Sequence, residues 1–284
     1  MQFALELSGA GATADPRLLG ELAQLAEESG WDGVFLEDYI VHHTGLAMPT
    51  CDPWIALAAM ATTTTSVRLG TEVTPLSRRR PWKLARELTT LDHLSEGRMV
   101  LGVGLGDTND PGFERVGETT SVAARARKVD EALEIIDGLC SGEPFSFSGR
   151  HFRVDEMTFR PTPVQKPRFP IWIGGGWPNP GVKRRALRWD GTCAYIEMGT
   201  FDEWEDQTPE YVAEVRELVV TERGSFDGYD IITGGRSRGE DWDADRDVIG
   251  RLGEAGATWW VEYIEATEDV AAHRGKIGRG PLRP

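Results

Sequence analysis

The sequence has few cysteines, no long apolar run and no excess of positive charge. Its cysteines, Cys51, Cys140 and Cys193, lie far apart and form no CxxC pair, which favours reduced thiols in a cytoplasm over a disulfide framework. No run approaches the ~20 apolar residues that cross a bilayer, and residues 1–16 lack the pattern of a signal peptide. We therefore expect a cytoplasmic protein without a membrane segment. A net charge of −15 also disfavours nucleic-acid binding, which needs clustered Lys and Arg.

Several common catalytic signatures are absent as well. The chain has no GxSxG, HExxH or P-loop pattern, which argues against serine-hydrolase, zincin and P-loop chemistry. The adjacent His42 and His43 have no third candidate ligand at a suitable spacing, so we expect no metal site.

What the sequence does have is a regular alternation of apolar runs and helix-length segments. Eight runs predict buried strands: FALELS, GVFLED, SVRLGTEV, RMVLGVG, PIWIGGG, TCAYIE, YDIITG and TWWVEYI. Four helices are predicted to begin at Asp-Pro, Asn-Pro or Thr-Pro pairs, at residues 15–16, 52–53, 179–180 and 208–209. This alternation favours an α/β fold, a (β/α)8 TIM barrel formed by a single domain over residues 1–284, with a doubly wound open sheet as the alternative.

One stretch interrupts the alternation. Residues 143–169 are rich in proline and aromatic residues and are too long for a simple loop before strand five. The alternating pattern FSFSGRHFRV within them predicts an inserted β-hairpin.

In a closed barrel the active site lies at the carboxyl ends of the strands, so the residues at those positions are the candidate site. The glycine triplet Gly174, Gly175 and Gly176 precedes a predicted helix and is suited to bind phosphate through backbone N–H groups; a tight turn without a ligand is equally compatible. The basic run Arg78–Arg80 either binds an anion or forms a solvated helix entry.

Three segments carry more specific motifs. Residues 66–107 combine a strand ending in GTxVTP, a helix with LDxLSxGR and a GxGxG strand end, while WDGVFxED and PIWIGGG occupy 31–38 and 170–176. Together they resemble the bacterial luciferase-like superfamily of flavin- and deazaflavin-dependent oxidoreductases, most clearly over residues 1–200. The segment GxHFxV at 149–154 is similar to the insertion that this family carries before strand five.

The resemblance implies a barrel that holds FMN or the deazaflavin coenzyme F420 with its ring in the mouth. It implies a non-proline cis peptide at Glu72–Val73 behind the ring and a phosphate at the glycine triplet. The cofactor-binding residues expected from the motifs are Glu72, Val73, Thr74, Gly104, Gly106, Gly174, Gly175 and Gly176.

The same resemblance names the catalytic candidates. Asp107 follows the fourth-strand glycines, where deazaflavin dehydrogenases carry an acidic proton donor. Asp38-Tyr39 stands where deazaflavin members commonly have Asp-His, so the usual imidazole is replaced. Asp38, Tyr39 and His42 are therefore the further catalytic candidates.

Three functions are compatible with these observations. The first is a luciferase-like oxidoreductase that uses a deazaflavin for hydride transfer to or from a small organic substrate. The second is an FMN-dependent monooxygenase that uses reduced flavin and oxygen, with residues 198–207 and 234–243 as candidate lids. The third is a non-catalytic flavin-binding barrel. Family members often dimerise through helices two and three, and the apolar helix WIALAAMA is compatible with a homodimer.

Overall fold

Parallel strands pair around a closed barrel in this computed structural model, which describes residues 1–43, 45–107, 109–197, 204–266 and 269–284. With strands numbered in chain order, the barrel consists of β1 (Gln2–Leu7), β2 (Gly33–Leu36), β3 (Arg68–Pro75), β4 (Met99–Gly104), β7 (Ile171–Trp177), β8 (Gly191–Glu197), β10 (Asp230–Arg236) and β11 (Trp259–Ile264). β1 pairs with both β2 and β11, and β8 pairs with both β7 and β10, so the hydrogen bonding runs around the whole barrel. The barrel prediction is confirmed, and the open doubly wound sheet is excluded.

The predicted hairpin is also confirmed. β5 (Pro144–Ser148) and β6 (Arg153–Thr158) pair in an antiparallel manner directly before β7. The Glu131 carboxylate accepts the backbone N–H groups of Arg150, His151 and Phe152, each at 2.9 Å, and so holds the hairpin turn. A short strand, β9 (Trp204–Glu205), adds to β8 in an antiparallel manner and was not predicted from the sequence.

The helices surround the barrel: α1 (Pro16–Glu28), α2 (Pro53–Thr63), α3 (Pro81–Leu94), α4 (Pro111–Glu114), α5 (Val122–Cys140), α6 (Pro180–Arg188), α7 (Pro209–Arg223), α8 (Trp242–Ala255) and α9 (Val270–Gly278). The side chains of Asp15, Asp52, Asn179 and Thr208 each accept a backbone N–H one turn into a helix whose first residue is proline. All four helix starts predicted from X-Pro pairs are thus confirmed. In the described part of the chain no helix has the length and apolar character needed to cross a bilayer.

The core has an outer layer between helices and sheet and an inner plug within the barrel. The plug consists of Ala4, Phe35, Val100, Trp172, Ile232, Trp259 and Val261. Because side chains alternate along a strand, residues two positions beyond a plug residue also face the interior, nearer the carboxyl ends. Glu6 after Ala4 and Glu37 after Phe35 are placed in this way. The plug therefore closes one end of the barrel and leaves the carboxyl end for a ligand.

Candidate active site

A cavity of about 750 Å3 opens at the carboxyl ends of the barrel strands. Its wall comes from β1, β3, β4, β7 and β8, from the residues after β2, and from the amino-terminal halves of α5 and α6. A volume of this size is typical of organic ligand sites, which span roughly 300–1,000 Å3. Of the predicted site residues, Asp38, Tyr39, Glu72, Val73, Gly104, Gly106, Asp107, Gly174, Gly175 and Gly176 line the cavity. The other two, His42 and Thr74, are buried outside its lining.

Val73 lies at the cavity wall between Gly104 and Gly174. The Glu72–Val73 peptide bond is cis, as the resemblance implied. A Cβ atom added to Gly104 would lie 2.7 Å from Val73 Cγ2, and one added to Gly174 would lie 3.0 Å from Val73 Cγ1. Glycine at these positions therefore makes room for the Val73 side chain beside the cavity. Thr74, the next residue, bonds its hydroxyl to that of Thr71 at 2.9 Å.

The glycine triplet does not form the turn that the sequence suggested. Gly174, Gly175 and Gly176 belong to β7 and pair with Cys193, Ala194 and Tyr195 of β8. Gly175 has a φ of 138°, a conformation that L side chains rarely adopt, and a Cβ there would lie 2.7 Å from Val182 on α6. The triplet therefore gives a stretch of strand without side chains that helix α6 approaches closely, and the turn itself follows at Pro178–Asn179.

Asp38 forms a buried ion pair with Arg79. Its carboxylate accepts hydrogen bonds from Arg79 Nε at 3.0 Å and from Arg79 Nη2, and Arg78 Nη2 lies 3.7 Å away. The side chain of Asp38 is fully buried. Arg78 also pairs with the buried Asp110. The basic run at 78–80 is thus neither a free anion site nor a solvated helix entry, because two of its arginines hold buried carboxylates.

Tyr39 and His42 surround Glu37. Burial, together with the negative charges of Glu37 and Glu6, raises the pKa of Tyr39 far above its ordinary value, so this phenol is neutral and is no base near pH 7. His42 Nε2 lies 3.7 Å from Glu37 Oε2, and the imidazole is only 2 % exposed. Glu37 and Tyr39 line the cavity, whereas His42 does not, so the imidazole contacts the site through these two side chains, with its ring centroid 5.1 Å from that of Tyr39.

Asp107 lies on the loop after β4, at the cavity edge. Its Oδ1 accepts the backbone N–H of Asn109 at 2.7 Å. Arg125 Nη1 donates to the carbonyl oxygens of Gly106 and Asp107 at 3.0 and 3.1 Å. The Phe113 ring stands between two guanidinium groups, with Arg78 Cζ at 5.1 Å and Arg125 Cζ at 4.7 Å from its centroid. We call these three side chains the Arg78–Phe113–Arg125 column; it joins the loop after β2 to the loop after β4.

Sequence reasoning missed Glu6 as a site residue, and it named Glu72 for its cis peptide bond but not for its carboxyl group. Burial raises the pKa of Glu72 to about 8, and burial with the charges of Glu72 and Glu37 raises the pKa of Glu6 well above its ordinary value. Both side chains line the inner end of the cavity. Each glutamate interrupts an apolar strand, and this pattern is visible in the sequence. Whether the carboxyl group faces the cavity depends, however, on which face of the strand turns inward.

The cations of the cavity lie at its outer end. Arg184 Nη2 and Arg185 Nε pair with the Asp130 carboxylate at 2.6 and 2.7 Å. Arg127 is exposed on α5, lines the cavity and makes no ion pair with any residue in the described ranges. Of the two candidate lids, residues 198–203 lie outside the described residues. The cavity is thus acidic at its inner end and basic at its outer end.

Comparison with known proteins relates this barrel to enzymes that use a flavin or F420. The chain is 36% identical over 166 residues to an F420-dependent glucose-6-phosphate dehydrogenase of Microbacterium testaceum, covering 57% of this chain and 48% of the relative. It is 33% identical over 160 residues to an F420-dependent hydroxymycolic acid dehydrogenase of Mycobacterium tuberculosis, covering 55% of this chain and 43% of the relative. The chain therefore spans about half the length of the curated relatives it matches.

Two solved structures share the fold over almost the entire length. The monooxygenase RslO1 from Streptomyces bottropensis superposes with a TM-score of 0.77 at 20% identity, covering 98% of this chain and 96% of that one. An F420-dependent secondary alcohol dehydrogenase gives a TM-score of 0.76 at 19% identity, covering 100% and 99%. The family model for luciferase-like monooxygenases matches residues 2–218, which is well over half of the chain. The chain thus belongs to the luciferase-like monooxygenase family.

Proposed function

We propose that this protein is an F420-dependent oxidoreductase that transfers a hydride between the deazaflavin and a small organic substrate. The observation that carries the proposal is the cavity of about 750 Å3 over Val73 and its surrounding glycines, at the carboxyl end of a closed barrel. The F420-dependent relatives support the choice of cofactor. A bound deazaflavin supplies two-electron hydride chemistry, and the protein supplies binding, orientation and proton handling.

The residues present fit such a cofactor. Glu72, Val73 and Gly104 form one wall of the cavity, which would hold a planar ring against the Val73 side chain, while Thr74 is buried outside the lining. Gly106 and Gly175 let neighbouring side chains pack closely against the cavity wall, since an added Cβ would lie 2.5 Å from Phe113 and 2.7 Å from Val182. At the outer end, Arg127 supplies the unpaired cation for an anionic tail, and the backbone of Gly174–Gly176 faces the same space. This division matches a ligand with an uncharged ring and an anionic tail.

The proposed proton donor is Asp107. Its loop is fixed by Arg125, so its carboxyl group stays at the cavity edge with one oxygen engaged by Asn109. We assign Asp38 a positioning role, since its charge neutralises Arg79 and orders the loop that carries Tyr39. Glu37 lines the cavity two residues before the position of the missing strand-two imidazole, has His42 beside it, and is the proposed proton acceptor.

An FMN-dependent monooxygenase is the second candidate, favoured by the family description and by the fold shared with RslO1. We further propose that residues 1–284 form one barrel domain, because β1 and β11 close it. The three cysteines are unpaired in the structure, which supports a reducing, cytoplasmic location. A homodimer through α2 and α3 stays a prediction.

The test is a titration of the purified protein with F420 and, separately, with FMN, followed by absorbance and fluorescence. Saturable binding of F420 with much weaker binding of FMN is expected. Tight binding of FMN alone would replace the proposed function by the monooxygenase. If neither cofactor binds, both enzymatic proposals fail.

A further inference from the structure

The inner end of the cavity contains two carboxyl groups without a partner. Glu6 on β1 and Glu72 on β3 flank the inward-facing residues of β2, and both line the cavity. Neither carboxyl group hydrogen-bonds to any described residue, and Glu72 Oε2 is completely buried. Glu37 differs from them, because it accepts a hydrogen bond from the Tyr263 hydroxyl at 3.4 Å and has His42 beside it.

No cation in the described part of the cavity wall compensates this pair. Arg125 is turned to the carbonyl oxygens of the β4 loop. Arg184 and Arg185 pair with Asp130 at the outer end, and Arg127 is exposed there. The pair is therefore not neutralised by an ion pair, in contrast to Asp38.

The remaining ionisable groups that face the pair are neutral or acidic. Cys193, Tyr39 and Tyr263 have pKa values raised by burial and by the nearby glutamates, so all three stay protonated at neutral pH. Glu37, with His42 behind it, contributes a further acidic group to the same wall. The surroundings thus disfavour two additional negative charges.

Burial in a cavity without a compensating cation disfavours the ionised form of both carboxyl groups, and the charge of Glu72 further disfavours ionisation of Glu6. The pKa of Glu72 is raised to about 8, and that of Glu6 is raised in the same direction. At least one proton is therefore retained by these two groups near pH 7.

We propose that Glu6 and Glu72 together retain one proton at neutral pH, and that the resulting acid and carboxylate bind the uncharged, hydrogen-bonding end of an aromatic ring ligand inside the barrel. The retained proton gives the pair one O–H donor and several acceptor oxygens, which suits an amide, imide or phenol group. A phosphate or carboxylate is rejected at this end, because it would meet a carboxylate without a cation. The ligand assignment rests on the proposed function; the protonation of the pair does not.

The protonation is tested on the unliganded protein by infrared spectroscopy. The carbonyl stretching band of protonated carboxyl groups is recorded from pH 5 to 10 for the wild type, Glu6→Gln, Glu72→Gln and the double variant. The exposed Glu217 on α7 gives the matched control, Glu217→Gln. We expect a band at pH 7 that the double variant loses and the control retains. The two single variants show how much of the band depends on each glutamate. Absence of the band in the wild type, or its persistence in the double variant, would overturn the proposal.

The contact with the ligand is tested by F420 binding between pH 6 and 9.5. Affinity of the wild type is expected to fall as the pair loses its proton, whereas Glu72→Gln, whose amide still donates a hydrogen bond, retains its affinity. Ionisation of F420 itself changes the affinity of both proteins equally, so a difference between their pH profiles comes from the protein. Identical pH profiles would overturn the contact. If F420 binds to neither protein while the infrared band is present, the proposed function fails, whereas the retention of a proton by Glu6 and Glu72 is still supported.

Discussion

Replacing Asp38 by asparagine tests whether this residue takes part in chemistry or only holds the structure. The change removes the negative charge and keeps the size of the side chain. It leaves Arg79 without its buried partner and weakens the hold on Arg78, 3.7 Å away. We expect a less stable protein whose folded fraction still transfers hydride.

The magnitude follows from burial. The side chain of Asp38 is 0 % exposed and that of Arg79 is 19 % exposed, so the carboxylate is fully desolvated and the guanidinium nearly so. Removing one partner of a buried pair costs about 3–5 kcal/mol. Because Arg79 is partly hydrated, we expect a loss of unfolding free energy near the lower end of that range, about 3 kcal/mol. This loss corresponds to a Tm lower by roughly 6–12 °C.

The assay combines thermal and urea unfolding with turnover measured well below the melting temperature. A matched control is Asp155→Asn, which breaks the Arg153–Asp155 pair, whose side chains are 77 % and 83 % exposed. Such exposed pairs contribute at most about 1 kcal/mol, so the control should unfold like the wild type. Wild-type stability combined with a large loss of turnover in Asp38→Asn would refute the positioning role.

Four further outcomes are expected. Asp107→Asn should lower turnover by about 10²–10⁴-fold, the range for a general acid, with cofactor affinity unchanged in titrations. Gly104→Ala should destabilise the protein by about 1–3 kcal/mol, because the added Cβ would lie 2.7 Å from Val73 Cγ2. Val73→Ala in the same chain removes that clash and should restore stability, which urea unfolding measures. Glu72→Gln should become more stable relative to the wild type as pH rises towards about 8, because a carboxyl group with a raised pKa costs the wild type stability over that interval. Urea unfolding at pH 5 and 9 measures the free-energy difference between the two proteins, and a difference that does not change with pH contradicts the prediction. Arg127→Ala should weaken cofactor binding about tenfold, or about 1.4 kcal/mol, and reduce its salt dependence; an unchanged salt dependence removes Arg127 from the tail site.

The features that local chemistry determines were predictable from the sequence. Asp15-Pro16 and its counterparts define helix starts because the capping side chain and the proline act within one turn. The barrel followed from the number and spacing of the apolar runs. The cis peptide at Glu72–Val73 came from the motif alone, through the family resemblance.

The features that depend on tertiary contacts were not predictable. The ion pair of Asp38 was not predictable, because nothing local reveals a partner 41 residues away in Arg79. The glycine triplet suggested a turn, whereas pairing with β8 keeps it extended. The inward orientation of Glu6 and Glu72 depends on the phase of each strand in the barrel, which a short apolar run does not specify.

The Arg78–Phe113–Arg125 column has a consequence for how this site can evolve. One aromatic ring contacts two arginines, and those arginines bond to Asp38, Asp110 and the carbonyl oxygens of Gly106 and Asp107. Loss of Phe113 would remove a contact from both arginines, and so from both loops, at once. Substitutions that preserve the site therefore have to change the ring and its two cations together. We therefore expect these three positions to covary among relatives, while the substrate-facing residues around them diversify one at a time.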